Sequence, residues 1–229
     1  VNVSYYPAGS SLSFLFSAGV GLTGIVNGEL RTGWSHRNSL IDELQPGPIG
    51  ANPSDSLDGI YEVTSDDTFG SENYIAWEKA VMAGADFQDL NGDGVYDPNI
   101  DRPDLLGDKT LWTVYNDVTD LAQRSPRLMT SPLNIEIQQT VWGYESTDDV
   151  GDIIFFRYRV INKGSDTIED AILTFTADPD IGDFEDDRIA SDINRQMGYT
   201  YNFEDDALYG ATPPAFGIVL LQGPIVEST

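Results

Sequence analysis

The sequence predicts a mainly β protein: an antiparallel β-sandwich, jelly-roll or immunoglobulin-like, with long ordered loops and one short helix. Three observations predict it. Apolar residues alternate in short segments, most clearly across Leu133–Tyr144 and Asp152–Asn162. Gly, Asn and Asp turns separate these segments, as in sandwiches. Only one stretch carries a helical period.

The N-terminal strands are expected near Ser13–Ser17, Val20–Val26 and Glu29–Trp34. Asn27-Gly28 marks a tight hairpin, because both central residues of that turn need positive φ. Residues 44–60 hold Pro46, Pro48 and Pro53 with three Gly, which predicts a long ordered loop. The helix should start after Ser71, a good N-cap, with Glu72 in the first turn. Tyr74, Trp77 and Val81 share one face, and Gly84 stops it. That aromatic stripe reads as core. Trp112, in the alternating segment Leu111–Tyr115, also reads as core. Further strands are expected at Asp170–Ala177, Gly198–Phe203 and Phe216–Leu221. The whole reads as a single β-rich domain over 1–229, with a subdivision into a loop-rich part, 1–130, and a sandwich part, 131–229. The first residue is Val1, and an apolar strand is expected close to the last residue, so a fragment of a longer protein is expected.

Composition narrows function. The 229 residues include 38 acidic and 12 basic ones, a net charge of −26. That balance opposes nucleic acid, which is gripped by Lys and Arg clusters. No apolar run approaches bilayer length, so no membrane insertion is expected. Without Cys there is no disulfide, thiolate site or thiol nucleophile. The lone His36 rules out His-rich zinc sites, and no G-x-S-x-G or phosphate-binding loop occurs. The acids are 27 Asp to 11 Glu. Asp favours turns and oxygen-lined cation loops over helices.

Two acidic constellations follow. Asp89-Leu90-Asn91-Gly92-Asp93-Gly94-Val95 fits D-x-N-x-D-G, in which alternate side chains converge on calcium when the loop curls. The Val95 carbonyl would add a ligand. The twelfth position is Ile100, so Asp97, Asp101 or Asp104 would complete the shell. Pro98 and Pro103 preclude a flanking helix pair, which makes this a structural loop rather than a switch. Its core resembles EF-hand, dockerin and thrombospondin type 3 loops. The second constellation, Asp178 to Asp187, has six acids in ten residues. Asp178, Asp180, Asp183, Asp186 and Asp187 could ring a second cation, with Asp192 reaching back. Calcium is the expected cofactor for both.

The ordered series of motifs resembles large secreted proteins of Bacteroidota and Ignavibacteria that end in a type IX secretion sorting domain. It comprises Val26–Arg31, Gln45–Ile49, the D-x-N-x-D-G loop, Gly107-Asp108 and Trp112–Asp117. Ile135–Trp142, Tyr158–Gly164, Asp178–Asp183, Tyr209-Gly210 and Gln222–Val226 follow in order. The resemblance implies an extracellular or cell-surface location and makes both Asp clusters family features. No sorting domain is present in the sequence.

The expected function is therefore non-enzymatic: a calcium-stabilised structural or adhesive surface protein, a matrix or filament subunit with itself as partner. The alternative is a carbohydrate-binding or accessory module that contacts extracellular glycan through exposed aromatics. A hydrolase with paired carboxylates is a third class and would need one acid of raised pKa beside an ionised one.

Overall fold

The computed structural model describes residues 4–34, 44–119 and 130–225. His36 lies outside these residues. The strands, in chain order, are β1 (Ser4–Tyr5), β2 (Ser13–Leu15), β3 (Ser17–Val26), β4 (Glu29–Trp34), β5 (Gln45–Pro46) and β6 (Tyr61–Thr64). Helix α1 (Glu72–Met82) follows, then β7 (Phe87–Gln88), β8 (Arg102–Pro103), β9 (Lys109–Asn116), β10 (Ile135–Gly143) and β11 (Phe155–Asn162). The last strands are β12 (Glu169–Asp178), β13 (Asp187–Asp192), β14 (Met197–Asn202) and β15 (Phe216–Val219). The fold is mainly β, with several antiparallel sheets and, among the described residues, one α-helix, in keeping with the β-sandwich class.

The described residues form two compact units. The first takes 4–23, Trp34 and 170–225; the second takes 24–33, 44–119 and 130–169.

In the second unit β9 sits inside its sheet, with β10 on one side and β5 and β6 on the other. It pairs β10 from Glu136↔Asn116 to Gly143↔Lys109. Every second residue of β9 is buried: Thr110, Trp112, Val114 and Asn116. This is the period of two that a strand imposes. Trp112 and Val114 meet Tyr61 and Val63 of β6 and the inner face of α1: Tyr74, Trp77 and Ala80. Burying an indole the size of Trp77 contributes roughly 4 kcal/mol. The α1 start is as the sequence indicates. Ser71 Oγ accepts the Tyr74 N–H at 3.3 Å. Asp67 braces it by accepting from Ser71 Oγ at 3.1 Å, Asn73 Nδ2 at 2.9 Å and Thr64 N at 2.8 Å.

Two fully buried carboxylates hold this sheet's connections. Asp117, just past β9, accepts Leu133 N at 2.6 Å and Ile135 N at 2.8 Å, fixing the entry to β10. Glu136 accepts Ile49 N at 3.1 Å and faces Lys163 Nζ at 3.5 Å. It thereby secures the Pro- and Gly-rich loop, whose Gly47 carbonyl accepts Asn116 Nδ2 at 2.8 Å. At the hairpin between β3 and β4, Asn27 and Gly28 have φ of 53° and 79°, as the turn demands.

In the first unit β12 pairs with β3, and β13, β14 and β15 form an antiparallel sheet. Asp187↔Asn202 to Asp192↔Met197 set the register of β13 on β14. β3 begins at Ser17, three residues earlier than the pattern suggests, and β13 is a strand that the residue spacing does not predict. Segment 178–182 runs beside 13–16: Phe16 N donates to Asp178 O at 2.9 Å and Gly182 N to Ser13 O at 2.9 Å.

Asp117→Ala should strip two buried N–H groups of their acceptor. A loss of about 3 kcal/mol, read from urea unfolding, is expected; a change below about 1 kcal/mol would show that the carboxylate does not hold the β9–β10 connection.

Candidate metal centre

The first acidic loop is closed by the pairing of β7 with β8, Phe87↔Pro103 and Gln88↔Arg102. Tyr96 roots it: the ring is buried edge-on to Phe87 at 5.4 Å, and its hydroxyl donates to Tyr74 O at 2.9 Å. Asp101 is fully buried beneath the loop. Its Oδ1 accepts Leu90 N and its Oδ2 accepts Asp97 N, both at 2.8 Å. One carboxylate thus ties the first and last parts of the loop together.

The rim carries the motif. Asp89 Oδ1 accepts Gly92 N at 2.7 Å and Oδ2 accepts Gly94 N at 2.8 Å. These bonds, Gly94's foremost, hold its carboxyl below the ordinary value. Asn91 Oδ1 accepts Asp93 N at 3.1 Å, and Asp93 Oδ1 accepts Val95 N at 2.8 Å. Gly92 and Gly94 both sit at φ +76°, the left-handed turns that curl the loop. Asp97 Oδ1 accepts Asn99 N at 2.8 Å. Asp104 leaves the loop for Arg157 at 3.0 Å, and Asp86 faces Arg159 at 3.6 Å. The structure therefore places Asp89, Asn91, Asp93 and Val95 on an exposed rim, Asp97 half-buried, Asp101 beneath, and Asp104 in an ion pair on β11.

The second cluster lies in the first unit. Asp206 is buried there. Its Oδ2 accepts Asp183 N at 2.8 Å; its Oδ1 accepts Leu208 N at 2.7 Å and also Tyr209 N. Burial pushes the Asp206 carboxyl up, but the N–H groups of Tyr209, Asp183 and Leu208 outweigh it, and the net shift is downward. Gly182, at φ +62°, passes so close that a Cβ would overlap this carboxylate, so only glycine fits. Asp187 Oδ2 accepts Ile181 N at 3.1 Å. Burial, with the nearby charges of Asp186, Asp180 and Asp206, pushes Asp187 up. Its other oxygen, Oδ1, is sealed from solvent with no hydrogen-bond partner. The same is true of Oδ1 of Asn202, its cross-strand partner. Asn202 Nδ2 donates to Asp186 Oδ1. Asp183 Oδ1 accepts Glu185 N at 3.1 Å. Asp178 ends β12, and Asp180 N donates to Phe14 O at 3.3 Å.

Asp192 does not reach this cluster. It ends β13 five residues from Asp187, about 16 Å along the strand, and binds Arg195. Sequence reasoning missed Asp206 and Asn202; neither has ligand spacing, and the partners of Asp206 are backbone N–H groups, which leave no mark in the sequence. Among the described residues no three His, Cys, Asp or Glu converge closely enough to hold a metal ion. The physical reason is visible in the first loop, where the rim oxygens have turned to donors within the loop: both Asp89 oxygens, Asn91 Oδ1 and Asp93 Oδ1 to backbone N–H groups, and Asp93 Oδ2 to the Asn91 amide. The donor chemistry nonetheless fits a hard cation. A carboxylate oxygen that accepts one N–H keeps a second lone-pair site. In the second cluster two oxygens have no donor at all.

No protein-family model, curated protein or solved structure matches the chain.

The shifts give a signed pH dependence. The Asp206 carboxyl titrates below its ordinary 3.8, as does that of Asp67. Their stabilisation is full above that value and lost as pH falls through the depressed native one. In Asp206→Asn, stability at neutral pH should drop, and the acid limb of a stability-against-pH curve should become shallower than in the parent. An unchanged acid limb would contradict the assignment.

Proposed function

We propose that this protein is an extracellular structural or adhesive surface protein whose acidic loops are set by calcium. The observation that carries the proposal is the pair of sealed, donorless oxygens, Asp187 Oδ1 and Asn202 Oδ1, crowded by Asp180, Asp186 and Asp206. Buried acceptors without partners cost about 1–3 kcal/mol each, and a divalent cation supplies the missing positive partner. Asp187, Asp186 and Asn202 would hold it here; Asp89, Asn91, Asp93, the Val95 carbonyl and Asp97 would hold one at the first loop. Extracellular calcium modules bind at about 10⁻⁴–10⁻³ M, which suits external calcium. The resemblance to type IX-secreted proteins supports the same location.

A structural role also follows from what the acids do. The carboxyls of Asp187 and Asp206 are shifted in opposite directions, up by burial and down by N–H bonds, as in an acid–base pair, yet all the Asp206 side-chain bonds go to backbone N–H groups. That use favours scaffolding over hydrolysis. Among the described residues no helix is long and apolar enough to cross a membrane. Exposed apolar side chains on strands, such as Ile172 on β12 and Ile189 on β13, suit packing against further copies.

A glycan-binding reading is favoured by one feature. Trp142 stacks on Phe155 at 5.3 Å, Tyr144 meets Phe155 edge-on at 5.9 Å, and all three keep some exposure.

Thermal unfolding in calcium, magnesium and EDTA tests the proposal on the parent and on Asp187→Asn. In EDTA the variant should match or exceed the parent, because the new amide keeps an acceptor for Ile181 N, offers Asn202 a donor and removes a crowded charge. Calcium at a hundredfold excess over Kd should stabilise the parent by about 2.7 kcal/mol and the variant by clearly less. Equal calcium gains in both would remove Asp187 from the site. A parent indifferent to calcium but stabilised by glycan would turn the assignment to the aromatic cluster.

A further inference from the structure

The chain has two Asn-Gly dipeptides, Asn27-Gly28 and Asn91-Gly92. Glycine leaves its backbone nitrogen unscreened, so that nitrogen can attack the preceding Asn Cγ. The Gly N–Cγ bond forms and the Cγ–Nδ2 bond breaks. The displaced amide proton leaves with Nδ2 as ammonia, and a five-membered imide remains. Water then opens either imide C–N bond. One opening gives Asp; the other gives isoaspartate, whose backbone runs through the former side chain. No oxidant or cofactor takes part. The rate depends on how often nitrogen and Cγ reach attack geometry, so hydrogen bonds that hold either partner slow it.

The two sites differ in this respect. At the loop, Gly92 N is held by Asp89 Oδ1 at 2.7 Å. The Asn91 amide is held at both ends: Nδ2 donates to Asp93 Oδ2 at 2.9 Å and Oδ1 accepts Asp93 N at 3.1 Å. Nucleophile, leaving group and carbonyl oxygen are all engaged. Asn27 and Gly28 form the exposed tip of the β3–β4 hairpin; nothing lies within 4 Å of where a Cβ would be at Gly28 or at Gly92, so crowding does not separate the sites, but among the described residues no hydrogen bond holds the Asn27 amide or Gly28 N. Both Asn residues are exposed, so solvent access does not separate them.

We propose that Asn27 is a site of spontaneous deamidation and that Asp89 and Asp93 shield Asn91 from the same reaction. An isoaspartate at 27 lengthens the backbone of a two-residue turn and breaks the geometry that fixes the β3–β4 register. The shield is a property of the chain's own hydrogen bonds and does not rest on calcium binding.

The test is a time course at mildly alkaline pH in EDTA, followed by peptide mapping that separates Asn, Asp and isoaspartate. Asn27 should convert roughly tenfold faster than Asn91, the effect of one hydrogen bond to a charged acceptor. Asp89→Ala should bring Asn91 up towards the Asn27 rate. Asp93→Ala, which frees Nδ2 but leaves the backbone N–H of residue 93 on Asn91 Oδ1 and the Asp89–Gly92 bond, should raise it by less. Gly28→Ala should slow Asn27 and leave Asn91 unchanged. Equal rates in the parent, Asn91 ahead of Asn27, or shielding of Asn91 that appears only with calcium would each overturn the proposal.

Discussion

A carboxylate accepting backbone N–H groups is the interaction on which the ordered loops depend. Asp101, Asp117 and Asp206 are buried, and each joins segments just beyond the end of a strand ladder. Burying a carboxylate costs several kcal/mol, while each charge-assisted N–H bond returns about 1.5–3 kcal/mol. Two or three such bonds bring the group near balance, and the gain lies in fixing the loop. A chain without Cys has no disulfide to do this. Glu136 adds a variant in which Lys163 shares the charge.

The same chemistry explains why the two acidic clusters differ from the clamps. A clamp carboxylate faces inward and its bonds go to backbone N–H groups. The rim groups Asp89, Asn91 and Asp93 also accept N–H bonds, but they are exposed and keep lone pairs towards solvent. Around Asp187 the balance fails: three acids crowd one carboxyl and two oxygens have no donor. With a net charge of −26, repulsion of this kind is screened only weakly by 12 basic residues. Cation binding would complete locally what the backbone completes elsewhere.

Much of the fold is legible in the sequence, because strand and helix periods are local. The helix from Ser71 to Gly84, the Asn27-Gly28 turn and the alternation of β9 all follow from residue spacing, whereas β10 buries Ile135 to Gln138 in a row and β11 does not alternate in burial. What resists is long-range. Nothing in the spacing says that 4–23 belongs with 170–225 in one unit. Nor does acid density show that Asp187 starts a strand, since Arg188, Ile189 and Ala190 are too short a run to outweigh their neighbours. At the loop, motif spacing identified the rim residues but could not separate Asp101, turned inward, from Asp104, drawn to Arg157 on a strand 53 residues away. Asp206 was invisible because its partners are backbone atoms, which every sequence has.

Amide hydrogen exchange in EDTA tests the clamps most directly, since it reads the N–H groups themselves. The amides of Leu90, Asp97, Asp183, Leu208 and Tyr209 should be protected well beyond their exposed neighbours in the same loops, and substitution of Asp101 or Asp206 should release its own set and not the other. Exchange at the rate of unstructured chain at these five amides in the parent would contradict the carboxylate-clamped loops.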